Sequence, residues 1–299
     1  QVKLDEKVRV IPLQMVRRTS PIKDLISLIK MILIIKNEKP DIVHSHTPKA
    51  GFISMIAAKL CGVPHRLHTV AGLPLIEKKG IEKKILLLVE WLTYKCATKI
   101  HPNSKGLKKY ILKTINTDKN KVEVIGDGSS NGIDVDYFKK SLSLKNDANF
   151  FTRINKLNNV FKFIFVGRIV KDKGIEELIN AFVRLNKEIS NIRLLIVGRE
   201  ERSLDPISDN TRSILKNNKN IIELGYRKDI RKYLAASNCL VLPSYREGFP
   251  NVVLQADCMN LPSIVSNING CNEIITDRQN GLLVTPKKTE LLYLAMKKI

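Results

Sequence analysis

Long apolar runs are missing from this chain. The longest candidates, Met31–Ile35 and Ile85–Val89, fall far short of the ~18–20 residues that a membrane-spanning helix needs, so none is expected. Gln1 opens the sequence without an initiator Met or a signal-peptide pattern. Cysteine is sparse and odd in number: Cys61, Cys96, Cys239, Cys258 and Cys271 are scattered, mostly within apolar stretches. That usage points to reduced, buried thiols in a cytosolic protein, and no Cys/His cluster has the spacing of a zinc or other metal site. Low-complexity sequence is absent. Aromatic residues make up only 6% and do not interleave with the basic runs; with no zinc-finger or RNP-like pattern, nucleic acid is not an expected partner. Acidic residues are scarce beside basic ones, 29 against 51, for a net charge of +22. Such an excess attracts phosphates or anionic lipid, unless it is only the solvated surface of a lysine-rich protein.

What is present is an alternation of strands and helices along 299 residues, enough for two domains. Val8–Pro12 reads as a strand, and Ser20-Pro21 as the start of a helix running to about Lys36. The pattern continues with a strand at 41–44, a small-residue helix Gly51–Cys61 and a strand His65–Val70. Lys83–Ala97 reads as an amphipathic helix with Ile85, Leu88, Val89, Leu92 and Cys96 on one face. Strands at Thr98–Pro102 and Lys121–Ile125 flank a further helix. Polar sequence then breaks the alternation, predicting a linker at 141–160 between a domain at 1–140 and another at 161–299. The second series runs from a strand at Phe161 to a strand at Gly281–Val284 and a last helix from about Lys288. Two such series predict an α/β protein of two Rossmann-like domains facing across a cleft, with ligands at the C-terminal ends of parallel strands.

The most informative stretch is 243–256. An apolar strand at 239–242 runs into a Glu-Gly-Phe-Pro turn, and Pro250 or Asn251 suits the start of a helix. Such a strand-loop-helix unit aims backbone N–H groups and a positive dipole end at one point, which suits a diphosphate. Glu247 lies in the turn within reach of a hydroxyl, and Gln255 sits about two helical turns on, able to share that face. A second signal is Phe165 to Gly174, where a strand ends in Gly167-Arg168 and Lys173-Gly174 opens a helix. Arg168 can fork onto phosphate oxygens and Lys173 adds a mobile point charge, although alone the segment is an ordinary basic loop. His44, His46 and His68 lie at strand ends; a lone histidine is more often packed than catalytic. His46 and His68 with Thr69 are the candidates for contact with an acceptor. The Asn131-Gly132 turn reads as a structural link.

The segments "GRIVKDKG" (167–174), "NGIDVDYF" (131–138), "PSYREGFPNVVLQA" (243–256) and "NGCNEIITDRQNGLLV" (269–284) together resemble the retaining glycosyltransferases of family 4, which have the GT-B fold. "HSHTPKAG" (44–51) and "HTVAGLPL" (68–75) are similar to bacterial members that build capsule, O-antigen or exopolysaccharide units. The resemblance implies transfer of a hexosyl or N-acetylhexosaminyl group from a nucleotide sugar, most often UDP-linked, to a polyprenyl-diphosphate-linked acceptor, with no bound metal or other cofactor. It assigns Arg168 and Lys173 to the donor diphosphate, Glu247 to donor-sugar hydroxyls, and the segment Gly248, Phe249, Pro250 and Asn251, through the backbone N–H groups that it has outside the proline, to sugar and phosphate. Gln255 stands where the family has a second glutamate on the ribose; its amide still suits a diol but is no base. Tyr226 and Arg227 are placed near the nucleobase, and His68 near the acceptor and donor sugar, with His46 a weaker match.

Measured against the family, elements are expected before Val8 and after Ile299, roughly 60 residues at each end, so the sequence reads as truncated on both sides. That leaves two alternatives, a UDP-sugar 2-epimerase-like isomerase and an inactive fragment that only binds nucleotide sugar. The lysines Lys78, Lys79, Lys83 and Lys84 are candidates for an anionic membrane surface, which implies a cytoplasmic protein peripheral on the inner face of the membrane.

Overall fold

A computed structural model describes residues 8–16, 20–139, 141–203 and 205–299, so the first seven residues assigned to the amino-terminal domain lie outside the described residues. The chain divides into two compact units, Gln1–Asn103 with Lys108–Gly126, and Ser104–Leu107 with Asp127–Ile299.

The first unit is built from α1 (Pro21–Glu38), β1 (Ile42–Ser45), α2 (Pro48–Leu60), β2 (His65–Val70), α3 (Gly80–Cys96) and β3 (Lys99–Pro102), with α4 (Lys105–Thr114) following. Its strands form a parallel sheet in the order β1-β2-β3. Proline opens both α1 and α2 in the first helical turn, where its missing N–H costs nothing. Val8–Pro12 is not a strand; Val8, Val10 and Ile11 are exposed without ladder partners among the described residues. Lys121–Ile125 is reduced to a single bridge between Val122 and Ile100.

α3 inverts the expected face. Ile85 and Leu88 are 52% and 55% exposed, and of the five residues read as its apolar stripe only Cys96 is buried. Glu90, Thr93 and Tyr94, spaced three and four apart, turn inward instead. Thr93 satisfies its own hydroxyl by donating to the Val89 carbonyl at 2.8 Å, so a polar residue can face the interior there.

The second unit contains α5 (Val135–Phe138), α6 (Leu142–Ile154), β4 (Phe161–Val166), α7 (Ile175–Glu188), β5 (Ile192–Val197), α8 (Asp209–Asn217) and β6 (Ile221–Gly225). It continues with α9 (Arg231–Ala236), β7 (Cys239–Leu242), α10 (Asn251–Cys258), β8 (Ser263–Ser266), α11 (Cys271–Ile274), β9 (Gly281–Val284) and α12 (Thr289–Lys298). Six parallel strands stand in the order β6-β5-β4-β7-β8-β9. β4 is the point at which the order reverses, and such a switch point opens a ligand crevice at the C-terminal ends of the strands. The apolar runs of β4, β5 and β7 are almost wholly buried, as strands covered on both faces must be.

The expected linker at 141–160 is instead part of this unit. Ser141 caps α6 by accepting from the Leu144 N–H, and Leu144 and Ala148 are buried with Phe151 beside them. Phe151 packs edge-on to Tyr233 of α9 at 5.1 Å. The polar composition hid an apolar stripe at helical spacing. "NGIDVDYF" likewise belongs to the second unit: Asp134 caps α5, and Phe138 joins the core. Among the described residues no helix is long and apolar enough to cross a membrane, and all five cysteines are free thiols.

Candidate active site

β4 and β5 end identically. Val166-Gly167-Arg168 and Val197-Gly198-Arg199 lie side by side, with Val166 paired to Val197 and the Gly167 N–H donating to the Val197 carbonyl at 3.0 Å. This places two arginines at neighbouring strand ends by the switch point. Arg199 lies outside the motifs singled out above, and its signal is that repeated tripeptide.

The β7 loop closes against its neighbours through glycines that no other residue can replace without movement. Gly174 has φ +68°, and a Cβ there would stand 2.1 Å from the Pro243 carbonyl oxygen. Gly270 has φ +76° and the same 2.1 Å approach to the Gly248 oxygen. The β4, β7 and β8 loops are thereby packed backbone to backbone. Tyr245 N–H donates to the Asp172 carbonyl at 2.9 Å, Arg246 pairs with the Asp172 carboxylate at 2.7 Å, and the Tyr245 hydroxyl donates to Glu177 at 2.6 Å.

Within that frame Lys173 and Glu247 meet at 2.5 Å, with side chains only 17% and 12% exposed. Two of the residues expected to share a site, 74 positions apart, are thus in direct contact. Arg168 lies on the same sheet edge and pairs with Glu201 at 3.1 Å while remaining more open. Cys271 is buried beside the pair: burial pushes its thiol up, Glu247's charge adds to this, and Lys173 opposes it. Gly248, Phe249 and Pro250 lead into α10, with Pro250 as its extended N-cap, so the positive end of α10 meets this loop. Asn251 accepts from the Ser129 hydroxyl at 3.3 Å. Gln255 is half-buried on α10. Tyr226, just past β6, is exposed beneath the Arg199 guanidinium at 4.8 Å, and Arg227 beside it is also exposed.

The first unit treats its histidines differently. His68, the preferred acceptor-side candidate, is buried: Ser45 Oγ lies 2.8 Å from its Nδ1, and its ring fills the space where a Cβ on Gly51 would be. Burial, with help from the neighbouring His44 and His46, holds its pKa down to about 4, so it is neutral. Thr69 is buried too, with its hydroxyl 2.8 Å from His44 Nε2. His44 and His46 are the exposed members, their rings 4.2 Å apart. The Asp134-Val135-Asp136 sequence has a spacing that can hold a divalent cation. Asp134 is occupied as an N-cap, and among the described residues no group of three or more His, Cys, Asp or Glu is placed to bind a metal.

The glycosyl transferases group 1 family matches residues 146–299, and a glycosyl transferase 4-like domain matches residues 3–128. The chain belongs to the glycosyl transferases group 1 family. It is a glycosyltransferase. A capsular polysaccharide biosynthesis glycosyltransferase, CapM of Staphylococcus aureus, is 37% identical over 94% of this chain and 72% of its own length. The UDP-Gal:alpha-D-GlcNAc-diphosphoundecaprenol alpha-1,3-galactosyltransferase of Escherichia coli is 35% identical, with the same coverage of 94% and 72%. Anabaena HepE, solved with UDP and glucose, superposes with a TM-score of 0.78 at 19% identity, over 96% of this chain and 74% of its own. WaaG, a glycosyltransferase of lipopolysaccharide biosynthesis, gives 0.75 at 17% identity, over 96% and 76%. These structures share the GT-B fold with this chain.

Proposed function

We propose that this member of the family transfers a sugar from a UDP-sugar to a polyprenyl-diphosphate-linked acceptor, with retention at the anomeric carbon, in assembly of a bacterial surface polysaccharide. The observation that carries the reading is the Lys173–Glu247 contact beside Arg168 at the switch-point edge. A cation next to a carboxylate suits a ligand that is anionic at one end and hydroxyl-rich at the other. Arg168 and Lys173 take the diphosphate, Glu247 accepts from donor-sugar hydroxyls, and the positive end of α10 with the 248–251 backbone holds the bridge between them. Gln255 takes the ribose diol, and Tyr226 with Arg227 borders the base. The names of the Escherichia coli and Staphylococcus aureus relatives support the donor class, the lipid-linked acceptor and the polysaccharide role.

In the reaction the bond from the anomeric carbon to the diphosphate oxygen breaks, and the acceptor oxygen bonds to the same face. The acceptor's proton passes to the departing diphosphate, so no enzyme nucleophile is required. The protein contributes fixed positive charge where negative charge grows. In the first unit His46 is open to an acceptor, while His68, buried and neutral, positions β1 against α2. Lys78, Lys79 and Lys84, exposed, and Lys83, half-buried, lie against anionic lipid at the cytoplasmic face.

The test is turnover of UDP-sugars with a polyprenyl-diphosphate-linked glycan, reading product configuration by NMR. An inverted product would refute the retaining step. Calorimetry with UDP tests the site itself: Arg168→Ala should weaken binding roughly 10- to 100-fold, the worth of a charge-assisted contact. An unchanged affinity would remove Arg168 from the donor site.

A further inference from the structure

The first unit holds a cavity of about 490 Å³ that plays no part in the donor site. It lies among α1, α2 and α3, and its size is ordinary for a small-molecule site, roughly 300–1,000 Å³. Leu28, Phe52, Ile53, Leu86 and Val89 make its walls apolar. The first turn of α2 and the Pro74-Leu75 segment also line it, and these follow directly on β1 and β2. It therefore opens at the C-terminal edge of the parallel sheet, where α/β units bind ligands. Its polar groups are few. Asp24 and Lys49 pair with each other at 2.7 Å, and Glu90, 4% exposed, presents an Oε2 atom with no hydrogen-bond partner.

Two further observations make the cavity more than a packing gap. Glu90 has the buried Tyr94 hydroxyl as its electrostatic partner, but a carboxyl lining an empty apolar space is not what core packing selects. The mouth is also rimmed by apolar side chains that face solvent. Leu25 and Ile85 line the cavity yet are 58% and 52% exposed. Ile22 and Ile29 flank Leu25 on α1, and Ile81 and Leu88 flank Ile85 on α3, all at helical spacing and all exposed. A contiguous apolar rim around an apolar hole marks a place where something apolar enters. Burial pushes the Glu90 carboxyl up to about 7, so its wall is largely uncharged below neutrality.

We propose that this cavity binds a single apolar chain of an amphiphile, the isoprenoid chain of the lipid-linked acceptor, entering between Leu25 and Ile85. The identity of the chain rests on the acceptor class proposed above; the cavity does not. A saturated acyl chain shares the same chemistry, and the two sources differ in branching and double bonds.

The experiment is calorimetry of the full chain with farnesyl monophosphate below its micelle concentration, with dodecyl phosphate and inorganic phosphate in parallel. Saturable binding of farnesyl monophosphate, with none of inorganic phosphate, is expected. Weaker binding of dodecyl phosphate identifies the isoprenoid source, whereas equal or tighter binding assigns the cavity to an acyl chain and overturns the isoprenoid claim. Val89→Phe and Leu28→Phe, which fill the space, should each reduce affinity at least ~10-fold. UDP binding, measured on the same samples, reports the second unit and should not move. Trp91 fluorescence checks that each variant is folded. Failure of farnesyl monophosphate to bind, or undiminished binding in two folded cavity-filling variants, overturns the proposal. Loss of UDP binding alone would instead count against the donor reading.

Discussion

Glu90 and His68 give the first unit a pH dependence whose two halves oppose each other. Glu90 is held up to about 7 by burial, against an ordinary 4.5, and His68 down to about 4, against 6.5. Between pH 4 and 6.5 the unfolded chain protonates His68 while the folded unit does not, so this histidine makes stability rise with pH. Between pH 4.5 and 7 the folded unit keeps the Glu90 proton that the unfolded chain has lost, so this carboxyl makes stability fall. Each slope reaches ~1.4 kcal/mol per pH unit at most, and each group contributes on the order of 3 kcal/mol across its window. Because the windows overlap between pH 4.5 and 6.5, the two contributions nearly cancel there. Glu90→Gln should expose the histidine and make stability climb by roughly 2–3 kcal/mol relative to wild type over that range. His68→Phe should expose the carboxyl and give a decline of the same order. The single tryptophan, Trp91, sits beside Glu90 on α3, so urea unfolding followed by its fluorescence reads this unit. Other carboxylates tilt all three proteins alike, and the differences from wild type isolate the two groups. Should those differences stay constant from pH 4.5 to 6.5, neither group is perturbed as the burial argument requires.

Three further outcomes follow from the geometry. Gly174→Ala should destabilise the second unit by roughly 2–4 kcal/mol, since it adds a clash with Pro243 to the left-handed strain. Gly225→Ala, with φ +67° but open space around it, should cost only about 1 kcal/mol; equal losses in calorimetric unfolding would remove the steric argument. Lys173→Met or Glu247→Gln alone should destabilise by about 3–5 kcal/mol, because each strands a mostly buried charge, while the double variant should recover stability without recovering turnover. A double variant as unstable as the sum of the singles would show that the contact contributes nothing. Reversing Lys78, Lys79, Lys83 and Lys84 to glutamate should abolish salt-sensitive binding to anionic liposomes, and the absence of any binding by wild type at low salt would end the membrane reading.

The loops of the proposed donor site are legible in the sequence because their signals are local. Gly167-Arg168, Lys173-Gly174 and the turn around Glu247 each carry their own turn chemistry and charge, and parallel strands deliver such loops to one edge whatever the strand order. The contact between Lys173 and Glu247 depends on β7 lying beside β4, which no local pattern states. Sequence and structure part where tertiary packing decides. α6 reads as polar until its sparse stripe of Leu144, Ala148 and Phe151 meets α9. In α3 the apolar periodicity is real, but Glu90, Thr93 and Tyr94 win the interior because a hydroxyl can bond locally and a carboxyl can shed its charge. Ser45 and Gly51 decide that His68 is enclosed, and neither is informative until the helix is laid over the sheet.

The titratable groups beside the two proposed sites are held in different ways, and the difference matches the ligands proposed for them. The first unit neutralises: His68 stays unprotonated, and burial favours the uncharged forms of Glu90 and Tyr94. Its exposed apolar residues on α1 and α3 border a cavity whose charged lining residues, Asp24 and Lys49, are paired with each other. The second unit pairs: Lys173 with Glu247, Arg246 with Asp172, Arg168 with Glu201. A charged ligand can engage one member of such a pair while a hydroxyl satisfies the other. A diphosphate and a sugar present that combination, whereas an apolar chain would leave the pairs unsatisfied. Neutral burial offers no handle to a diphosphate but suits a hydrocarbon. How each unit handles charge therefore supports the proposed division between an anionic donor and a lipid-borne acceptor.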